Sequence, residues 1–301
     1  MKAVLLTEYG SVEGLKLRDV PDPEPGPNEL KVRMAGASIN PVDWKMRSGA
    51  ARRMMPMELP AILGRDVSGT VVAVGPGVTT FSVGARLMGN VPHGYAEMVV
   101  APAASWAEVP PNMDLVDAAA YPLVLLTGAQ LVEDAAQVRE GDVVLVTGAV
   151  GSVGRAAVFV AKQRGARVLA GVRTDQKAAA AKLGADGVFG IDDDRDIERI
   201  PPLDAIADTV GGATAAKLVT KVKKGGRAGG TVGEPPGARG RGLDARGFMA
   251  HPDSKRLAEL AKAIADGRLI IPIARRFPLA QAAEAQAFAE RGADGKVVLT
   301  G

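Results

Sequence analysis

The sequence predicts an α/β protein: a β-rich domain joined to a doubly wound parallel sheet. Three observations lead there. The first third consists of short apolar strands separated by glycine and proline turns, with little helix signal. From about Asp114, strand-length apolar runs alternate with helix-favouring stretches. The chain is also long enough, at 301 residues, for two ordinary cores.

The elements follow in order. Ala3–Leu6 is a short apolar strand, and Leu15–Val20 alternates loosely before the proline-rich turn Pro21–Glu29. Leu30–Ala35, Val67–Gly75, Val83–Met88 and Tyr95–Ala101 read as further strands of the first domain. Val116–Ala120 and Ala129–Ala136 favour helix. Asp142–Gly148 is a continuous apolar run suited to a strand buried on both faces. The helix Val153–Arg164 stops at Gly165, the strand Arg167–Arg173 follows, and the helix Asp175–Leu183 stops at Gly184. Gly187–Ile191, Ala205–Val210 and Arg227–Val232 supply three more strands. Pro235–Gly247, rich in glycine and arginine, reads as a mobile loop. The helix Ser254–Asp266 stops at Gly267; Leu269–Ala274, the helix Leu279–Glu290 and the strand Lys296–Thr300 return to the first domain. The expected domains are therefore 1–117 completed by 269–301, and 118–268.

Composition removes several functions. There is no cysteine, so disulfides, thiolate nucleophiles and cysteine-liganded zinc are excluded. His93 and His251 are the only histidines, and each reads as an ordinary loop residue, so no metal site is expected. A net charge of +3 is too small and scattered to argue for nucleic acid. No apolar stretch reaches the ~18 residues of a membrane span. Met1–Gly10 lacks the basic cluster and apolar run of a secretion signal, so a cytoplasmic protein is expected.

The sharpest motif is Val144–Gly154, VLVTGAVGSVG. A strand enters a tight turn and then a helix, with Ala149, Gly151 and Gly154 at G-x-G-x-x-G positions. A small residue at Ala149 permits the turn, the missing Cβ of Gly151 admits a pyrophosphate, and Gly154 lets helix and strand pack closely. Val150, Ser152 and Val153 complete this cradle, whose helix-end amides face an anion. The next strand ends at Ala170–Thr174 with Arg173, and Lys177 lies one helical turn later. Cations there suit a 2′-phosphate, so NADP(H) is the expected coenzyme, with Arg173, Thr174 and Lys177 at its adenosine end. Asp175 has the spacing of a ribose-binding acid, but a first-turn helix acid explains it equally.

Ser38–Gly49, Leu63–Gly75, His93–Val100, the Ala149–Gly154 turn and Gly295–Leu299 occur in this order in the medium-chain dehydrogenase/reductase superfamily. The chain resembles its zinc-free quinone oxidoreductase branch, related to zeta-crystallin. The resemblance implies a GroES-like β domain with an inserted Rossmann domain, an active site in the cleft between them, and a homodimer formed near Leu243–Met249. It also implies that Asn40 sits by the nicotinamide, that Asp43 organises its loop, and that Thr127 lies near the coenzyme. Val210–Gly212, Gly230–Val232 (with Thr231) and Phe248–Met249 would be coenzyme-facing loop ends, and Lys296 the lysine of the final strand. Asn40 and Asp43 could instead be turn residues, Thr127 a helix cap and Phe248 core.

No obvious general acid is present. Tyr95 and Lys45 are candidates by type, although a packed aromatic and a surface lysine explain them as well. The expected reaction is hydride transfer to a small-molecule quinone, with an enone as the alternative acceptor. A weakly catalytic NADPH-binding protein is the alternative from another class.

Overall fold

The computed structural model describes residues 1–301 and divides them into two compact units, Met1–Leu123 with Pro252–Gly301, and Val124–His251. The first unit opens with β1 (Lys2–Leu6), β2 (Leu15–Asp19), β3 (Glu29–Ile39), α1 (Pro41–Arg47), β4 (Ala61–Ile62), β5 (Asp66–Val74), β6 (Arg86–Asn90), β7 (Met98–Pro102) and β8 (Trp106–Glu108). After α2 (Pro122–Gln130), the second unit alternates β9 (Val143–Thr147), α3 (Ser152–Gln163), β10 (Arg167–Val172), α4 (Lys177–Ala180), β11 (Gly187–Gly190), α5 (Asp194–Arg199), β12 (Leu203–Asp208), α6 (Gly212–Leu218), β13 (Val222–Gly230) and β14 (Asp244–Gly247). The chain then returns through α7 (Ser254–Ala265), β15 (Ile273–Pro278), α8 (Ala282–Glu290) and β16 (Lys296–Thr300). No helix is long and apolar enough to cross a membrane.

In the first unit, a seven-stranded sheet runs β15-β16-β3-β5-β6-β8, with β7 also on β3, beside a small β2-β1-β4 sheet. The last strand is essential to it: β16 pairs antiparallel with β3, placing Val297 opposite Ile39. The inward residues alternate along these strands and meet in one core that includes Leu30, Val32, Val67, Leu87, Tyr95, Trp106 and Phe277. In the second unit, six parallel strands lie in the order β11-β10-β9-β12-β13-β14. Numbered from β9, this is the 3-2-1-4-5-6 order of a Rossmann sheet, which reverses between β9 and β12 and opens a crevice at their carboxyl ends.

Three expectations need correction. The boundary expected at 268 lies near 251, because α7 packs beside β8 and Asn112 Nδ2 donates to Ala265 O at 3.0 Å. The run Pro235–Gly247 is not all loop: its last four residues form edge strand β14, paired only with β13. The residues around Pro41 are not merely a turn. They start α1, where proline occupies the first position, Asn40 is the cap, and Asp43 Oδ2 accepts the Asn40 amide at 2.8 Å.

Candidate functional site

In the second unit, the carboxyl end of β9 leads through Gly148–Val150 into α3, whose cap residue Gly151 supplies no side-chain hydrogen bond. The first amides of the helix are therefore left for a ligand. The three small residues divide the work differently from the sequence expectation. The left-handed turn belongs to Gly148, at φ +61°, and Ala149 is simply buried. A Cβ on Gly148 would also stand 2.4 Å from Thr209 Oγ1. Gly154 has the expected packing role: a Cβ there would meet Gly148 O at 2.1 Å. At Gly151 the added Cβ would meet only Gly148 O, at 3.2 Å, so this side of the cradle is open. An open, uncapped turn of this kind fits a dinucleotide pyrophosphate.

Side chains not anticipated from the sequence brace the cradle. Thr147 Oγ1 donates to Asp208 Oδ1 at 2.5 Å, and Thr209 Oγ1 donates back to Thr147 O at 2.8 Å. These bonds tie β9 to the loop after β12 across the point where strand order reverses. Asp208 also accepts the amides of Val210 and Gly211 at 3.2 and 2.9 Å, fixing the loop that leaves Val210 exposed. Arg155 Nε donates to Val150 O at 2.8 Å and holds the turn from the helix side. Gly230, Thr231, Phe248 and Met249 follow or end β13 and β14 on the same carboxyl edge; Phe248 is half-buried and Met249 exposed. Thr127 is half-buried within α2.

At the end of β10, the Arg173 guanidinium is exposed and faces its near neighbour Asp175, at 3.2 and 3.4 Å. Asp175 is thus occupied by a cation. Thr174 gives both its amide and its hydroxyl to Asp192 Oδ1, each at 2.8 Å, and this holds the Asp192 carboxyl below its ordinary range. Lys177 does not stand free beside Arg173. Its Nζ lies 2.5 Å from Asp196 Oδ2, a carboxylate that also accepts the Gly190 amide.

The first unit holds a buried polar cluster. Asn40, Asp43, Asp66, Ser38, Tyr95 and Lys296 are each at most 5% exposed. Lys296 Nζ donates to Asn40 Oδ1 at 2.5 Å and to Ile39 O at 3.0 Å, and lies 3.9 Å from Asp66 Oδ2. Asn40 Nδ2 donates to the same Asp66 oxygen at 2.8 Å, Ser38 Oγ does so at 2.9 Å, and the Leu123 amide binds the other oxygen at 2.7 Å. Burial pushes the Asp66 carboxyl up and the Lys296 ammonium down, while each charge opposes the shift of the other. Asp43 is pushed up to about 7, first by burial, although the Asn40 amide and Tyr95 hydroxyl bond its Oδ2. Its Oδ1 has no partner.

This cluster brings together three residues named from the sequence, Tyr95, Asn40 and Lys296. Tyr95 is fully buried, its hydroxyl donates to Asp43 at 2.9 Å, and burial raises it well above an ordinary phenol, which disfavours it as a proton source. Asn40 has both ends of its amide occupied. Lys296 is paired, and its partner Asp66, which no local sequence signal singles out, is the hub. Lys45 and His93 lie exposed, and His251 is bound through its backbone to Gln130 at 2.9 and 3.0 Å.

The pattern has known counterparts. Residues 26–111 match the alcohol dehydrogenase GroES-like domain, and residues 183–299 a family described as zinc-binding dehydrogenase. The donor set does not fit a zinc site: cysteine is absent, and no group of three or more His, Asp or Glu converges to hold a metal. A chloroplast envelope quinone oxidoreductase homolog of Arabidopsis thaliana is 35% identical over 63% of this chain, a match spanning only 60% of that protein. The quinone oxidoreductase of Homo sapiens is 32% identical over 75% of the chain and 71% of its own length. A 2-haloacrylate reductase of a Burkholderia species is 29% identical over 99% and 98%. Among solved structures, the quinone oxidoreductase of Coxiella burnetii superposes with a TM-score of 0.91 at 30% identity, covering 100% of this chain and 99% of that one. A mycobacterial protein complexed with NADPH gives 0.83 at 29% identity with both chains fully covered. With its GroES-like and Rossmann-type domains, the chain belongs to the quinone oxidoreductase branch of the medium-chain dehydrogenase/reductase superfamily.

Proposed function

We propose that the protein is a zinc-independent, NADPH-dependent oxidoreductase that delivers a hydride to a quinone or another conjugated carbonyl acceptor. The observation that carries this reading is the uncapped, open turn at Gly151 on the carboxyl edge of a Rossmann sheet, beside the Arg173 cation. Bound there, the coenzyme supplies the hydride. The chain binds its pyrophosphate through the first amides of α3 and holds the neighbouring loop ends in place through Thr147 and Asp208. Arg173 carries the preference for a 2′-phosphate: its exposed pair with Asp175 is weak enough for a phosphate dianion to displace. Lys177, held by Asp196, contributes only to the background field.

No residue is positioned as a general acid, and the chemistry does not require one. The oxygen that becomes electron-rich after hydride addition can take its proton from water. Asn40 is a positioning residue, its orientation fixed by Lys296 and Asp66. Assembly as a homodimer through edge strand β14 belongs to the same reading, since an unpaired edge is a natural seat for a second copy.

Purified protein mixed with NADPH and a panel of quinones and enones, followed at the nicotinamide absorbance, tests the activity. Turnover of at least one acceptor is expected. Tight NADPH binding without turnover on any of them would favour a coenzyme-binding protein instead. Arg173→Asp is expected to weaken NADPH binding at least roughly tenfold and leave NADH nearly unchanged; equal losses would refute the phosphate assignment.

A further inference from the structure

The end of the Rossmann sheet opposite the coenzyme cradle contains a second feature. A cavity of about 380 Å³ opens at the amino ends of β9, β12 and β13. One wall is an irregularity in β13. Leu203 pairs with Val222 and Ala205 with Arg227, so Lys223–Gly226 loop out of the ladder between them. Gly225 takes φ +74° in this loop, and a Cβ on Gly226 would stand 2.6 Å from Val222 Cγ1. An outward loop of this kind re-aims side chains away from the sheet, and here it carries two lysines.

The charges around the cavity are unequally satisfied. Each carboxylate has a cation: Asp204 binds Lys223 at 2.7 Å, Asp142 binds Arg227 at 2.7 Å, and Asp244 binds Arg246 at 2.9 Å. Asp204 also accepts the Val143 amide, and Asp142 the Arg139 amide. Two lining cations, Arg139 and Lys224, remain with no carboxylate, and both are exposed. Arg227 is 92% buried by its 8% exposure, yet its guanidinium makes one bond, to Asp142, and its Nε has no partner. That Nε is enclosed, so Arg227 serves the wall by neutralising Asp142.

We propose that this cavity is an anion site for a small dianion, a phosphate monoester or a dicarboxylate, gripped by the two exposed lining cations Arg139 and Lys224. The acids of the wall are already neutralised, so they do not repel such a ligand. The planar Arg139 guanidinium matches the oxygens of either head group. The site is separate from the cradle, lying at the amino rather than the carboxyl ends of the strands, and it does not depend on the proposed reaction.

The test uses the full chain saturated with NADPH, titrated calorimetrically with inorganic phosphate and then malonate at an ionic strength fixed by sodium chloride. One anion per chain is expected to bind. The exposed double substitution Arg139→Ala with Lys224→Ala should weaken it at least roughly tenfold while leaving the melting temperature unchanged, and Arg173→Ala should leave it intact. Stronger binding of phosphate than malonate would assign the phosphate class, and the reverse the dicarboxylate class. Binding that survives the double substitution, or no heat beyond that of chloride, would overturn the proposal.

Discussion

The two polar regions of the molecule are built by opposite strategies. The cradle of the second unit is made of backbone: Gly148, Gly151 and Gly154 shape it by lacking side chains, and the polar groups it leaves open are amides. The cluster of the first unit is made of side chains, with Lys296, Asn40 and Asp66 bonded out of contact with water. The lesson concerns where stability is at risk. A backbone site has no side chain to strip away and tolerates small changes on its open face. A buried charged network fails when any one member leaves, because the remaining charge stays desolvated.

The largest expected effect follows from that contrast. Lys296→Met removes the only cation beside Asp66 and is expected to cost about 4 kcal/mol of stability, measured by urea unfolding. Adding Asp66→Asn should restore much of this, because the orphaned charge is then gone. Failure of the second substitution to restore anything would mean that the lysine acts through packing, and the contrast between the regions would lose its electrostatic basis.

An effect of comparable size, spread over a range of pH, concerns protons. Burial pushes the Asp43 carboxyl up to about 7 in the folded protein, from 3.8 for a freely solvated aspartate. Folding therefore favours its protonated form. That contribution is complete below about pH 4 and is lost as pH rises through about 7, with a slope of at most ~1.4 kcal/mol per pH unit. Asp43→Asn cannot ionise, so its stability relative to the natural protein should rise between pH 4 and 7 and level off above. Parallel stability curves across that range would show that Asp43 stays ionised.

The same contrast explains what was legible in the sequence. The cradle was readable because strand, turn and helix are contiguous, and each glycine answers to a local constraint. The positive φ of Gly148, the residue before Ala149, was not readable, because nothing local distinguishes it until Thr209 is known to press against it. The edge strand β14 was hidden because only Ala245 of its four residues is buried, leaving no apolar alternation to detect. α1 was readable in principle from Asn40, Pro41 and Asp43, an N-cap, a first-position proline and a capping acid. The network could not be read at all. Asp66 and Lys296 lie 26 and 256 positions from Asn40, and only the pairing of β16 and β5 with β3 brings them together.

The smallest change in stability is also the sharpest test of the backbone strategy. Gly151 has φ −69° and ψ 161°, which any L-residue adopts, and its added Cβ meets only Gly148 O at 3.2 Å. Gly151→Ala should therefore shift unfolding by no more than ~0.5 kcal/mol, since the lost freedom of the unfolded chain offsets the slight crowding. The methyl group nevertheless projects into the space that a pyrophosphate would fill. Coenzyme affinity, measured by fluorescence titration, should fall at least roughly tenfold with the fold intact. An unchanged affinity would mean that the open face of the cradle is not where the coenzyme lies, and the backbone site would lose its assignment while the buried network kept its own.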